Sequence, residues 1–453
     1  MKRVFVFCIG GTGERVMKSI TMLMAAGMST NGYTVVPIII DPHLDLNEKK
    51  NLQTLMVKYG EIQKSLLWDS QLPEGFFGSE MQQIDFVNNT NKVAGEDRSY
   101  EDFLELGNLS TSSINNYLVK TLYSADNLNN KLSVGFRGNP NVGTVVLQEM
   151  LEGDSRLNTF KSQCGKDDRV FIISSIFGGT GASGYPLLER KIRSSLESEV
   201  VSKVFMGAVT VLPYYGLNDP KKSNSKIDSA NFMTKAKAAL AYYENTVKSD
   251  LLYYVGETEL KATHENNEQK QEDTANFTEL VAATALFDFL QRDKPKQTQY
   301  LTRAIQENAD VLDLSTAGTG YTSLVKCMAD FTIFKKLIEV LKNEKYFPLK
   351  KDRGFTDNFY QGSLAKITDF LEEYGQWCTE LTLKKRAFAP IVEINPAKMQ
   401  GIIKNGIELD AKDDSYYLLQ IIKESHKKQS TNSLRDFVEY AYKAINYYTQ
   451  KIK

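Results

Sequence analysis

A chain of 453 residues and 51.1 kDa is long enough for two or three domains. Its 42% hydrophobic and 25% charged residues are the balance of a globular protein, which excludes a wholly disordered or low-complexity chain. Lys and Arg number 55 against 56 Asp and Glu, so a net charge of −1 leaves no basic excess for nucleic acid.

The first apolar run, residues 3–9, stops at Gly10-Gly11-Thr12-Gly13 and gives way to helical periodicity over 15–26. A second run, 33–40, ends in Asp41-Pro42. Continuous rather than alternating hydrophobicity is the pattern of strands buried on both faces of a parallel sheet. Strand, glycine-rich turn, helix, strand and acidic residue make a βαβ unit. Residues 43–132 are polar, with helical patches at 52–67 and 113–122, and predict a mostly helical insertion. The turn-rich stretch 137–143 leads into a helix over 144–151. A third strand, 168–176, runs into Phe177-Gly-Gly-Thr-Gly-Ala-Ser-Gly184, and a helix is expected from 185 to 196. Two more strands, 204–212 and 250–255, flank a helix over 230–246. Residues 257–273 read as a charged surface loop, and 276–291 as a long apolar helix.

After about Asp293 the strand–helix rhythm fades, and 330–341, 358–378 and 434–448 read as amphipathic helices. The expected fold class is therefore α/β. A parallel-sheet nucleotide-binding domain spans 1–275, a connecting long helix 276–292, and a helix-rich domain 293–453. Four cysteines without CxxC spacing and three widely separated histidines disfavour a disulfide framework, a metal cluster and a His-based triad. The apolar stretch at the N-terminus is too short for a signal peptide, and no run of about 18 apolar residues occurs. A cytoplasmic protein without membrane insertion is expected.

Three loops carry the chemistry: GGTG at 10–13, RGNPNVG at 137–143 and GGTGASG at 178–184. A strand-to-helix turn of this kind directs backbone N–H groups and a helix dipole at an anion, and glycine lets phosphate approach the backbone. The plain alternative for each is a tight turn, least convincing for GGTGASG. Gly-x4-Gly-Lys-Ser/Thr is absent from both GGTG loops, which excludes an ordinary P-loop. The first loop also misses the Rossmann spacing, since Gly13 is followed by Glu14, Arg15 and Val16. A dinucleotide enzyme needs one such loop, whereas three point to a multiply phosphorylated nucleotide.

The order of GGTG, a strand ending at Asp41, RGNPNVG, FGGTGASG at 177–184 and AVTVLPY at 208–214 resembles the tubulin/FtsZ superfamily over about residues 3–290. FGGTGASG is similar to that family's phosphate signature GGGTG(S/T)G, with Phe177 in place of its first glycine. The resemblance implies GTP or GDP as ligand, with Mg²⁺ held through nucleotide and water. By it Gly10, Gly11, Thr12 and Gly13 form the loop facing the α- and β-phosphates, with Asp41 beside it. Gly138 and Asn139 lie toward the γ-phosphate, and Gly178, Gly179, Thr180 and Gly181 cradle the phosphates. Arg193 falls near a ribose position, and Asn276 near the residue that reads the base, although a helix N-cap explains Asn276 equally well.

Asn308-Ala-Asp310-Val-Leu-Asp313 is similar to the FtsZ pattern NxDxxD, whose carboxylates complete the neighbouring subunit's active site. The resemblance thus implies a GTPase that assembles head-to-tail into filaments, with Asp310 and Asp313 catalytic in trans. Acidic residues on a solvated helix end are the alternative. The Tyr-rich C-terminal helix reads as a core-facing helix in the first place and as a surface for a protein partner in the second. Two other functions stay open: a non-polymerising nucleotide switch or scaffold of the same fold, and a Rossmann-type dinucleotide enzyme.

Overall fold

The computed structural model describes residues 2–42, 47–66, 75–82, 98–132, 136, 138–196, 198–217, 232–257, 262–264, 274–305, 311–312, 318–342, 356, 358–382, 387–388 and 432–450. Among the described residues the strands are β1 (Lys2–Ile9), β2 (Tyr33–Ile40), β3 (Arg169–Ser175), β4 (Phe205–Val211), β5 (Tyr215–Leu217), β6 (Leu251–Glu257), β7 (Ala262–His264), β8 (Gln299–Ile305), β9 (Val311–Leu312) and β10 (Ala387–Phe388). The principal helices are α1 (Gly10–Ala25), α2 (Asn47–Leu66), α3 (Ile114–Leu122), α4 (Pro140–Glu152), α5 (Ser155–Gln163), α6 (Gly179–Arg193), α7 (Phe232–Thr246), α8 (Phe277–Gln291), α9 (Gly318–Lys342), α10 (Leu364–Thr382) and α11 (Ser433–Gln450).

Six strands form one sheet in the order β2-β1-β3-β4-β6-β8, and every pairing in it is parallel. The continuous apolar runs are explained by this: β2 and β4 are buried at every residue, because helices cover both faces. On one face Val4, Val6, Phe171, Ile173, Val209 and Tyr253 meet α1 and α8; on the other Phe5, Phe7, Val170, Ile172 and Ala208 meet α4 and α6.

The sheet has a sixth strand that the sequence reading lacked. β8 pairs with β6 from Leu251↔Gln299 to Glu257↔Ile305, so the strand–helix rhythm runs past α8 before the helical part begins. The 43–132 segment is also more than an insertion. Leu52, Leu55, Met56, Tyr59, Ile62 and Leu66 of α2 enter the same core as α1 and the C-terminal helices. That core continues through Phe331 and Phe334 of α9, Phe370 and Trp377 of α10, and Phe437 of α11. The C-terminal helix thus faces the core, as its periodicity predicts.

In a parallel sheet all carboxyl ends lie along one edge. From β1 the chain moves outward to β2, then returns across β1 to form β3 on its other side. Order 2-1-3 places a topological switch between β1 and β3, where crossovers diverge and leave a crevice. The two GGTG segments follow these two neighbouring strands.

Candidate functional site

The glycine segments are not loops ahead of helices but the first turns of the helices themselves. α1 begins at Gly10 and α6 at Gly179, several residues earlier than the apolar periodicity indicates. Gly10 takes a left-handed φ of 69°, which glycine adopts without the Cβ clash of other residues. The N-cap positions are Ile9 and Gly178, and neither provides a side-chain hydrogen bond. First-turn N–H groups of a helix have no intrahelical acceptor. Here two helices of 16 and 15 residues present such groups side by side, uncapped by side chains.

The two turns touch. A Cβ built on Gly10 would lie 3.3 Å from Thr180 Cβ. The third segment closes on the second: a Cβ on Gly179 would lie 3.1 Å from Asn139 N and 3.3 Å from Gly138 N. Gly138 also has a left-handed φ, 71°. All three glycine-rich segments therefore pack together at the carboxyl ends of β1 and β3. Asp41, buried, follows Ile40, the register partner of Ile9, so it flanks Gly10 on the β2 side.

Within this cluster the glycines divide by what surrounds them. Gly11, Gly178, Thr180 and Asn139 are half-buried and line the open side. A Cβ on Gly11 would meet only Arg15 Nη1, at 3.4 Å. Gly13 and Gly181 are packing residues instead. Their Cβ atoms would fall 2.8 Å from the Cys8 carbonyl carbon and 2.5 Å from Ser175 O, so they bring each helix onto its strand. Thr12 is buried and turned to Arg15, whose Nη2 lies 3.4 Å from its Oγ1.

Asn139 caps α4, its Oδ1 accepting from Asn141 N at 3.0 Å and Val142 N at 3.4 Å. Asn276 caps α8, its Oδ1 accepting from Thr278 N at 2.9 Å, while Glu279 Oε2 accepts from Asn276 N at 3.0 Å. The N-cap reading of Asn276 is thus realised, and its carboxamide oxygen is engaged by the backbone.

Arg193 requires a correction. It ends α6, fourteen residues beyond Gly179 and so about 20 Å along the helix axis. Its guanidinium donates to Val204 O at 2.8 Å, Ser202 O at 3.1 Å and Asp250 Oδ2 at 2.9 Å. It binds α6 to β4 and β6 at the end of the helix away from Gly179. Asp310 and Asp313 lie outside the described residues.

The residues that sequence reasoning missed are charged side chains behind the turns. Arg15 Nε pairs with Glu279 Oε1 at 2.7 Å, both buried, and Arg15 Nη2 donates to Tyr214 Oη at 3.2 Å. The Tyr214 hydroxyl in turn donates to Glu279 Oε1, and burial pushes its pKa well above the ordinary range. Lys235 on α7 reaches Gly138 O at 2.8 Å. A charged Glu14-Arg15 step in the first turns of an otherwise apolar helix was the available signal. Cys8, beneath α1, is raised by burial and then by the Glu14 charge, so its thiol is packing rather than a nucleophile. Among the described residues there is no His/Cys/Asp/Glu group that could hold a metal ion, and no helix long and apolar enough to cross a membrane.

In comparison with known proteins, no family model and no curated protein matches the chain. Among solved structures it is similar to CetZ from Methanosaeta thermophila, at 14% identity and a TM-score of 0.28, covering 64% of this chain and 52% of that one. It is also similar to CetZ2 from Haloferax volcanii, solved as a GTPγS-bound protofilament, at 12% identity and a TM-score of 0.30, covering 64% and 58%. The matched region spans little more than half the length of those proteins.

Proposed function

We propose that this chain binds a nucleoside triphosphate, GTP by the resemblance of its motif order, in the crevice between β1 and β3, and hydrolyses it in head-to-tail assemblies. The observation that carries the reading is the contact between two uncapped helix N-termini, Gly10 against Thr180, at the sheet's topological switch. Unsatisfied N–H groups and two aligned dipoles favour a multiply charged anion there. Gly11, Gly178 and Thr180 are the half-buried positions that face it, with Asn139 at the rim.

The residues fit the group. The open side at Gly11 leaves the backbone accessible, and Lys235 and Arg15 bring positive charge to the segments that bound the crevice. Mg²⁺ would arrive with the phosphates, held chiefly by phosphate oxygens and water, with Asp41 the carboxylate at that edge. When bound, the metal supplies charge neutralisation at the phosphoryl group. Catalysis in this reading is positioning and electrostatics. The first turns orient the phosphates, and Asp310 and Asp313 of the next subunit orient the attacking water. Asn276 offers its amide nitrogen toward the base.

Gly11→Asp tests the pocket. An acidic side chain in the first turn of α1 suits the helix dipole, so the fold should survive, while its carboxylate occupies the phosphate position. Calorimetric affinity for GTP should fall at least a hundredfold. Wild-type affinity in the variant would remove the assignment.

A second reading, the same pocket without assembly, is favoured by the C-terminal helices. Beyond β8, α9, α10 and α11 pack into the core of the nucleotide-binding part itself. Sedimentation with and without GTP separates the two readings.

A further inference from the structure

The strands begin at the edge of the sheet opposite the glycine-rich turns, and a second concavity lies there. Lys2, Tyr33, Arg169 and Phe205, the first residues of β1 to β4, line it, and its volume is about 470 Å³. β1 is 8 residues long and rises about 3.3 Å per residue, which sets the two edges roughly 23 Å apart. Arg169 is the fixed point of this cleft. Its Cζ lies 4.8 Å from the ring centroids of Tyr33 and Phe205 and 5.5 Å from that of Phe289. Among the described residues its one hydrogen bond runs from Nη1 to Phe289 O, at 2.7 Å. Rings and a carbonyl hold the plane of the guanidinium, and Nε and Nη2 keep donors for a ligand. Lys2 Nζ lies 5.9 Å from the same Tyr33 centroid, so two cations share one ring.

The charges around the cleft do not balance. Among the described residues no carboxylate pairs with Lys2, Lys166 or Arg169. Asp168 is held by Arg3, with Nη2 to Oδ2 at 2.8 Å, and Glu199 pairs with Lys203. Lys294 lies 3.6 Å from Asp250 Oδ1, and Asp167 is exposed. Three lining cations therefore face the carboxylate of Asp167 alone. We propose that this cleft binds the phosphate dianion of a small phosphomonoester, or of inorganic phosphate, with Arg169 as forked donor and Lys2 and Lys166 as flanking charges. A guanidinium fork matches two oxygens of a phosphate, and lysines supply the remaining charge as flexible points. An excess of two positive charges matches a dianion, and the volume falls in the usual small-molecule range of about 300–1,000 Å³. The proposal is independent of the nucleotide reading, since Lys2 and Ile9 stand at opposite ends of β1.

Titration calorimetry with ribose 5-phosphate and with inorganic phosphate tests it, on wild type, Lys2→Gln and Arg169→Lys, alongside thermal melts. Lys2 is exposed, so its variant should melt with wild type and stays informative even where the stacked Arg169 site tolerates no change. Arg169→Lys keeps the charge but loses the fork, and should bind about tenfold more weakly. Lys2→Gln should bind about threefold more weakly, and affinity for GTP should be unchanged in both variants. Equal affinities for the two probes assign the cleft to free phosphate, and tighter binding of ribose 5-phosphate assigns it to an organic phosphate. Wild-type affinity for both probes in both variants overturns the proposal; if Gly11→Asp then abolishes that binding, the phosphate was in the crevice. Wild-type protein that binds neither probe overturns it as well, independently of the result with GTP. A glutamate-rich peptide that binds more tightly than either phosphate also overturns it, since the cleft would then dock protein.

Discussion

Gly181 shows how one glycine-rich signature mixes two physical jobs. By sequence, every glycine in GGTGASG is available to a phosphate. In the structure a Cβ on Gly181 would lie 2.5 Å from Ser175 O and 2.7 Å from Ser175 N, backbone atoms that cannot turn aside. Gly181→Ala should therefore destabilise the fold by about 1–3 kcal/mol through overpacking. Gly11→Ala, which meets only the end of a flexible arginine, should leave stability nearly unchanged. Chemical denaturation of the two variants checks the contrast, and equal stabilities would remove the division between packing and lining glycines. The motif's composition was legible in the sequence, but which glycine does what depends on the strand beneath it. Arg15 and Glu279 were illegible for a related reason: 264 positions separate them, and only the packing of α8 across α1 makes them a pair.

At the scale of elements, the strands buried on both faces were readable, edge strand β2 included, and the exposed edge strand β8 was not. β2 and β4 are buried throughout because both faces are covered. β8, QYLTRAI, lies at the sheet edge with Gln299, Tyr300 and Thr302 exposed, so it lacks the continuous apolar run. Helix starts were misplaced for the complementary reason, since glycine-rich first turns carry no apolar periodicity. A short helix that was not foreseen, α5, braces the carboxyl end of β2. Asp154 caps it and pairs with Arg156 at 2.6 Å, and Arg156 Nη1 donates to Ile39 O at 2.7 Å, just before Asp41. Burial raises the Asp154 carboxyl, but the Arg156 hydrogen bond and charge with the backbone donors outweigh it and hold the pKa below the usual value. A lowered native pKa stabilises the fold above the unfolded-state value of about 3.9, and that stability is lost as pH falls through the native value. Asp154→Asn should cost about 3 kcal/mol at pH 7, as expected for breaking a buried pair. The difference from wild type should shrink as pH drops below about 4, measured by urea denaturation across that range. A pH-independent difference would show that the charge is irrelevant.

For the whole molecule, the α/β part with its three converging segments was legible because motif order and strand order agree. The C-terminal part was legible only as helices, since nothing in amphipathic periodicity tells which surface they cover; in the structure they close over α1 and α2. If Asp310 and Asp313 serve a neighbour, GTP turnover per subunit should rise with protein concentration. Asp313→Ala should keep nucleotide affinity yet lose turnover, because its own crevice is intact. Turnover per subunit that is flat with concentration would leave the non-assembling reading in place. The most direct test of the central claim is to identify, by mass spectrometry, the small molecule released on denaturing the purified native protein. The proposed site between β1 and β3, with GTP taken from the resemblance of the motif order, predicts a guanosine di- or triphosphate near one per chain, displaced by Gly11→Asp. A dinucleotide in its place, or wild-type protein that neither carries a nucleotide nor takes one up from added GTP, would contradict it.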